Sequence, residues 1–578
     1  MFERLTWFEQ RLFDALALTL VLFYSYSAVL EPAATQYHRG IYVLITYILV
    51  FMIYPTKGIG IAGRVLDYLL IATSIVCISY WMLNLEAINY RAGIETDLDK
   101  WIAMVGVLLG IELARRVVGP VFVIIGAIML LYGVYGASEY VPEAIQHAGD
   151  DFPELCTSIF YKSDGVFGIM ANVLATYIIL FVIFGAFLEA SGAQRFFIDF
   201  PLAAVGHKIG GPAKVSVIAS GLFGSISGSA IANTVSTGAF TIPMMKKAGF
   251  RPHVAGAIEP AASIGGMFMP PIMGAGGFIM AELTGVPYST IMLVAIFPAL
   301  MYFFSVFVMV HYEAKRFNIV GEKSKESAKE ILKKEWFYIL PLVAITIFML
   351  SGYSPGYSAI LGIVTCIAVS WFRTETRITP SRFLLASRNG AISSLKIGAT
   401  VGVIGIIIGV LTYSGLVLTF ADIVIEMADG RLWLTILLIA LASLILGMGV
   451  PVTAAYLITA VVAVPALTEL GVNPIAAHMI VYWLSQDSNI TPPVCIAAFA
   501  GATIAKANMW KTAFTAFKFA KFLYLGPFLF GYVPAFSLDG SSSDIVIAFV
   551  LIAIGTWAYS WFLSGIWLSW FHKKARAA

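Results

Sequence analysis

Two stretches of this chain carry the residue types that can gather around an ion. GLFGSISGSAIANTVSTGAFTIP (Gly221–Pro243) crowds Ser225, Ser227, Gly228, Ser229, Asn233, Thr234, Ser236, Thr237 and Gly238 between apolar runs. After a basic turn the chain reaches EPAASIGGMFMPP (Glu259–Pro271). At membrane depth each unsatisfied backbone group is expensive, so broken helix survives only inside protein or against a polar cavity. A Gly/Ser/Asn cluster followed by Pro-Pro therefore predicts freed carbonyls and hydroxyls gathered around an ion or a solute. The alternative is that the small residues only let helices approach closely.

The pattern occurs twice. Adding 222 to each number carries Thr237 to Thr459, Pro243 to Pro465, Gly249 to Gly471, Pro252 to Pro474, Ser263 to Ser485 and Pro270-Pro271 to Pro492-Pro493, with no gap. The second copy holds GMGVPVTAAYLITAVVAVP (Gly447–Pro465) and YWLSQDSNITPPVCIAAFAG (Tyr482–Gly501). Repeated, interrupted apolar segments in corresponding places point to a secondary transporter's binding site.

Backbone carbonyls at a helix break, with Ser, Thr and Asn side chains, supply the oxygens that a sodium ion needs. Candidate ion-binding residues are Ser225, Ser227, Gly228, Ser229, Asn233 and Thr237 in the first copy. In the second copy they are Gly447, Gly449, Pro451 and Thr453, with Thr459 beside them. Each copy is expected to fold back in a hairpin whose tip closes the site. The tips are Gly265, Gly266, Pro270 and Pro271 in one copy, and Asp487, Ser488, Asn489, Thr491 and Pro492 in the other. Pro271–Gly285 reads as the return limb of the first hairpin. Glu259, Glu282 and Asp487 are acids at hydrophobic depth, where a charge costs at least ~2.5–3.5 kcal/mol and is a functional candidate by default. Glu259 and Asp487 are the possible proton sites. Glu282 also reads as a solvated hairpin end, Asp487 as a helix-cap acceptor, and His478 as a packed helix residue. No catalytic triad, HExxH or P-loop is present, so no enzyme chemistry or ATP coupling is supported, and no cofactor is expected.

These motifs must sit in a membrane. Of 578 residues 60% are hydrophobic and 12% charged, and the mean hydropathy is +0.88. Apolar runs of helical length predict an all-α polytopic membrane protein embedded in a lipid bilayer, and exclude a barrel, whose strands alternate. The net charge of +3 suggests no nucleic-acid partner. Cys77, Cys156, Cys366 and Cys495 are scattered, without a metal or disulfide spacing. The N-terminus reads as a retained first helix.

Five apolar segments (about 13–30, 40–54, 66–85, 100–117 and 119–136) form a first module, residues 1–142. Residues 143–165 carry Glu143, Asp150, Asp151 and Glu154 against Lys162 and read as an extracytoplasmic linker. Residues 166–578 form a second module with repeats over about 166–312 and 388–533. Lys57, Arg64, Arg115, Arg116, the run Ala314–Lys334 and the HKKARAA terminus place both chain ends in the cytoplasm by the positive-inside rule. The first repeat then starts outside and the second inside, which predicts an inverted repeat.

GPAKVSVIASGLFGSISGSAIANTVSTGAFTIPMMKKAGF (Gly211–Phe250) and PPIMGAGGFIMAE (Pro270–Glu282) resemble the large membrane subunit of tripartite ATP-independent periplasmic (TRAP) transporters. Within them the chain is most similar to the TAXI subclass, in which small and large membrane subunits are fused. The resemblance implies uptake of a small organic anion, often a carboxylate, across a bacterial or archaeal inner membrane. It implies an elevator-type transport domain, a scaffold corresponding to residues 1–142, and delivery of the solute by a separate TAXI-type extracytoplasmic binding protein. The drive would be a sodium gradient, or protons in the TAXI branch. The family's sodium pattern falls on Ser227, Gly228, Ser229 and Asn233, and on Gly449–Thr453. Where the family pattern has a Gln after the Gly-Gly pair, this chain has Met267. The nearest alternative is a stand-alone ion-coupled anion transporter; a membrane enzyme or assembly scaffold is the alternative of another class.

Overall fold

The computed structural model describes residues 2–56 and 60–567; Lys57 and the basic stretch 572–578 lie outside the described residues. Five helices come first: α1 (Trp7–Val29), α2 (Thr35–Ile53), α3 (Gly60–Tyr90), α4 (Asp97–Val117) and α5 (Pro120–Tyr135). They match the five apolar runs and extend them at capped ends. Thr6 with Glu9, and Thr96 with Asp99, form capping boxes before α1 and α4. The second helix begins earlier than its apolar run, takes in His38 and Arg39, and reaches 19 residues.

The stretch expected to be a linker contains a packed helix, α6 (Phe152–Tyr161). Leu155, Cys156, Ile159 and Phe160 share one face and are buried, lying against α4. The acids that suggested a solvated segment cluster at the start of this helix, where Glu154 pairs with Lys100 of α4. That lysine holds the Glu154 carboxyl below its usual range.

Next come α7 (Ile169–Val173), a π-helical turn over Leu174–Ile178, and α8 (Ile179–Ala190), which together make one span. They are followed by α9 (Ala193–Val205), α10 (Gly211–Ser227), α11 (Ala230–Lys247), α12 (Pro252–Gly266), α13 (Gly276–Thr284) and α14 (Tyr288–Arg316). A connecting group holds α15 (Ala328–Glu335), α16 (Leu340–Leu350) and α17 (Pro355–Ser370). The chain then forms α18 (Pro380–Gly398), α19 (Val401–Tyr413), α20 (Leu416–Met427), α21 (Leu432–Leu446), α22 (Val452–Glu469) and α23 (Pro474–Leu484). It ends with α24 (Ile496–Ala505), α25 (Met509–Phe519), α26 (Phe522–Tyr532) and α27 (Ser542–Ser564). Among the described residues nine helices are long and apolar enough to cross a membrane. The protein is an all-α, multi-pass membrane protein.

The 222-residue register recurs in the helix bounds. Ala230 + 222 and Lys247 + 222 are Val452 and Glu469, so α11 and α22 have identical limits. Pro252 and Pro474 both begin helices. Gly249 and Gly471 both have positive φ, as do Met273 and Cys495, and Pro270-Pro271 and Pro492-Pro493 are both cis.

The structure corrects where the chain folds back. Gly265, Gly266, Pro270 and Pro271 are not a hairpin tip, because α13 packs on α14, α7 and α23 rather than back along α12. The Pro-Pro stretch interrupts a helix that then resumes. The pair that folds back is α10 and α11, which pack along each other. Their turn lies at Ser227–Ser229, where Gly228 (φ +64°) provides the left-handed step. The second half repeats this: α21 and α22 pack together, with Gly449 at φ +75° in the turn. Asp487, Ser488, Asn489, Thr491 and Pro492 lie in the interruption between α23 and α24.

The first five helices are fixed to the second half. Arg388 of α18 makes a two-pronged pair with Asp14 of α1, at 2.6 and 2.7 Å. α19 packs along α5 and α4. The interrupted helices form a different block, in which α12 packs on α10, α11, α24 and α25.

Candidate functional site

In the first half, Ser229 caps α11 by accepting the Ala232 amide at 3.3 Å. Ser225 is buried and donates to Leu222 O at 2.9 Å. Ser227 donates to Ser229 O at 3.4 Å. Asn233 is fully buried. Its amide donates to Ser220 O at 3.0 Å, while its Oδ1 and the Thr234 hydroxyl have no partner. A turn below, the Glu259 carboxylate is enclosed by the hydroxyls of Ser216, Ser220, Thr237 and Thr241, with Ser263 at 3.5 Å. The Thr237 and Thr241 hydroxyls also lie 2.7 Å from Asn233 O and 3.1 Å from Thr237 O, so each shares its one proton between a carbonyl and the acid. Ser216 with Ser220 and Thr237 with Thr241 are four residues apart on their helices, so each pair shares a face. That spacing is the sequence signal that could have revealed the cage.

The first interruption, Met267 to Ala275, is largely occupied from within. Tyr288 places its hydroxyl 2.9 Å from Pro271 O and 2.5 Å from Ile272 O. Tyr482 places its own 2.8 Å from Met267 O and 2.6 Å from Met273 O. Gly265 and Gly266 serve packing. A Cβ on Gly265 would lie 2.6 Å from the Tyr302 ring, and one on Gly266 would lie 2.5 Å from Gly224 Cα. Met267 is buried and lays its methyl against Gly274. Gly274 in turn approaches Gly228, so the α10–α11 turn meets the interruption at two glycines.

The second half keeps the arrangement and changes the chemistry. Gly447 ends α21 and Pro451 opens α22. A Cβ on Gly447 would lie 2.7 Å from the Ser488 side chain, so this turn too meets its interruption. On α21, α22 and the second interruption lie buried polar atoms without a partner: the hydroxyls of Ser443, Thr453 and Thr459, both ends of the Gln486 amide, Asp487 Oδ1 and Asn489 Nδ2. Thr491 shares a 2.6 Å hydrogen bond with the Tyr524 hydroxyl. Buried polar groups left without a protein partner are costly, so these atoms are positions where water or a ligand can be taken up. Among the described residues no group of three or more His, Cys, Asp or Glu could hold a metal ion.

The structure thus brings Ser225, Ser227, Gly228, Ser229 and Asn233 to one turn, and Gly447, Gly449, Pro451 and Thr453 to another. Thr237 belongs to the Glu259 cage. Glu282 is tied to Asn172 Nδ2 at 2.8 Å, and Asn172 Oδ1 accepts from Arg39 of α2 at 3.2 Å. His478 packs with its Nδ1 3.0 Å from the Tyr456 hydroxyl. Gln486, Ser443, Tyr288 and Tyr482 were not singled out in the sequence. Lys521 is buried with its Nζ 3.2 Å from Ser305 O.

Comparison with known proteins places this chain in a family. Residues 105–536 match the family described as "Tripartite ATP-independent periplasmic transporter, DctM component". The match begins within α4, upstream of the expected linker. The chain is 26% identical over 365 residues to the C4-dicarboxylate TRAP transporter large permease protein DctM of Pseudomonas aeruginosa, covering 62% of this chain and 84% of that one. It is 25% identical over 320 residues to the 2,3-diketo-L-gulonate TRAP transporter large permease protein YiaN of Escherichia coli, covering 54% and 74%. It is 23% identical over 346 residues to the sialic acid TRAP transporter large permease protein SiaM of Vibrio cholerae, covering 59% and 80%. Among solved structures, the Alcanivorax borkumensis YdaH transporter is similar at a TM-score of 0.46 and 17% identity, over 75% of this chain and 99% of that one. The chain belongs to the DctM component family of TRAP transporters: it is a transport permease rather than an enzyme, part of an ion-gradient-driven secondary transporter of small organic anions that works with a solute-binding protein.

Proposed function

We propose that this chain is a fused, TAXI-type membrane component whose moving part carries a carboxylate solute together with sodium. Residues 1–142 form a static scaffold, 143–165 an extracytoplasmic connection, and 166–578 the transport module, with inverted repeats at about 166–312 and 388–533. Both termini are cytoplasmic. The turns α10–α11 and α21–α22 are re-entrant hairpins, and α12–α13 and α23–α24 are interrupted spans. The block of hairpins and interrupted helices moves as an elevator against the helices anchored by Arg388 and Asp14. A TAXI-type binding protein delivers the solute from outside.

The observation that carries this reading is the meeting of turn and interruption in both halves, with unpartnered buried oxygens around the second. Sodium would be held by Ser225, Ser227, Gly228, Ser229 and Asn233 in the first half, and by Gly447, Gly449, Pro451, Thr453 and Asp487 in the second. The ion would supply the positive charge that an organic anion needs at membrane depth. The helix N-termini of α11 and α22 face the turns and favour an anion.

The test is uptake by Asn233→Ala and Ser229→Ala variants in proteoliposomes, with normal folding verified by monodispersity. Both are expected to lose sodium-driven uptake. Wild-type uptake by both would remove the first ion site. Proton-driven uptake without sodium would instead move the coupling to Glu259 and Asp487.

A further inference from the structure

Tyr482 belongs to α23, one turn before the second interruption, yet its phenol ends in the first. The ring enters where Gly276 has no side chain; a Cβ there would lie 2.1 Å from it. Its hydroxyl reaches Met267 O at 2.8 Å and Met273 O at 2.6 Å, the two carbonyls that bracket Pro270-Pro271. The next residue, Trp483, stacks on Phe268 of the same interruption, with centroids 4.3 Å apart and planes at 15°. At the other end, the Ser485 hydroxyl donates to Tyr482 O at 2.7 Å. Tyr482 is thus tied to the turn that leads into Gln486 and Asp487. All of these groups are buried.

A phenol has one proton to donate. Two carbonyls share it here, so each keeps acceptor capacity. If one carbonyl turns away, the hydroxyl rotates to the other; if the interruption itself shifts, both carbonyls move and the ring is pushed with them. The ring is wedged over Gly276 and against Tyr456, whose centroid lies 5.1 Å away. A shift of the interruption is therefore passed to α23 and the turn behind it. A contiguous, buried, hydrogen-bonded path of this kind is one physical route for coupling between sites.

We propose that Tyr482 is a positioning residue that couples the two halves, so that a cation bound where one turn meets its interruption raises the affinity of the matching site in the other half. This rests on the reading above that sodium binds at both. Tyr288 provides an internal control. It makes a similar pair of bonds to the same interruption, to Pro271 O and Ile272 O, but from α14 rather than from the helix that leads into the second site.

The full chain in lipid nanodiscs would be titrated with sodium against choline, without solute, following the thermal unfolding midpoint and tryptophan fluorescence. The wild type is expected to respond sigmoidally. Tyr482→Phe keeps the ring and removes both bonds; its response should become hyperbolic, with the half-saturating concentration raised roughly tenfold. Tyr288→Phe should raise half-saturation while leaving the response sigmoidal. Should Tyr482→Phe fail to fold, Ser485→Ala, which loosens the other end of the link, must flatten the curve instead. A Tyr482→Phe response as sigmoidal as the wild type overturns the coupling, as does equal flattening by Tyr288→Phe, which would mark general support of the interruption. A hyperbolic wild-type curve overturns the coupling and leaves the two sodium sites standing. A wild type blind to sodium overturns the sodium sites, and the coupling with them.

Discussion

The two interruptions occupy matching places in a 222-residue repeat, and their residues differ in kind. Gly265-Gly266-Met267 in the first corresponds to Asp487-Ser488-Asn489 in the second. In the first, the glycines admit close helix packing and the carbonyls are held by Tyr288 and Tyr482. Its buried acid, Glu259, is about two turns away and enclosed by hydroxyls. In the second, the position matching Glu259 is Val481, and the acid has moved into the interruption itself, where Asp487 Oδ1 has no partner. A duplicated frame can therefore serve two ends. One copy has become mainly a structural joint with a small polar site at its turn. The other leaves buried polar atoms without a protein partner.

That contrast can be broken by experiment. The largest effect is expected from Glu259→Ala, which strips the acceptor from four buried hydroxyls and should lower stability by about 3 kcal/mol or more. The thermal midpoint in detergent measures it, and an unchanged midpoint would mean the cage does not support the fold. Asp487→Ala should do the opposite: fold normally and lose uptake roughly a hundredfold, the equivalent of one charged contact of about 1.5–3 kcal/mol. If Asp487→Ala unfolds the protein while uptake per folded molecule is retained, the second interruption is structural after all.

Two glycines give a smaller, sharper contrast. Gly266→Ala drives a methyl into Gly224 backbone at 2.5 Å, which only a helix shift relieves, at about 1–3 kcal/mol. Gly447→Ala meets the Ser488 side chain at 2.7 Å, which can rotate. Stability should change by less than ~1 kcal/mol, while half-saturation by sodium rises roughly tenfold. Equal stability losses in the pair would erase the distinction. The smallest effect is expected from Met267→Gln, which introduces a polar side chain at the first interruption. It should change half-saturation by no more than about threefold, because Tyr482 already occupies the neighbouring carbonyl. A larger gain in affinity would show that the first interruption contacts the ligand directly.

Much of this was legible in the sequence, for identifiable reasons. The spans follow from apolar length, and the repeat from prolines and glycines whose backbone roles recur. The small-residue clusters pointed to the two turns because Gly228 and Gly449 must be left-handed there. The fold-back was misplaced because Pro-Pro reads as a sharp reversal, whereas here α13 leaves α12 behind and Gly228 makes the reversal. The packed helix α6 was hidden by the acids at its start. The cage around Glu259 was legible only in part: its hydroxyls lie on two helices, and nothing local says that both face the same acid. Tyr482 gave no sequence signal, since its partners are 215 and 209 residues away.

The central claim is that uptake is driven by sodium bound where each turn meets its interruption. The most direct measurement is solute uptake into proteoliposomes holding this chain and its binding protein, under an imposed sodium gradient or an imposed proton gradient. The account predicts uptake with sodium alone, abolished in Asp487→Ala. Uptake driven by protons in the complete absence of sodium would contradict it.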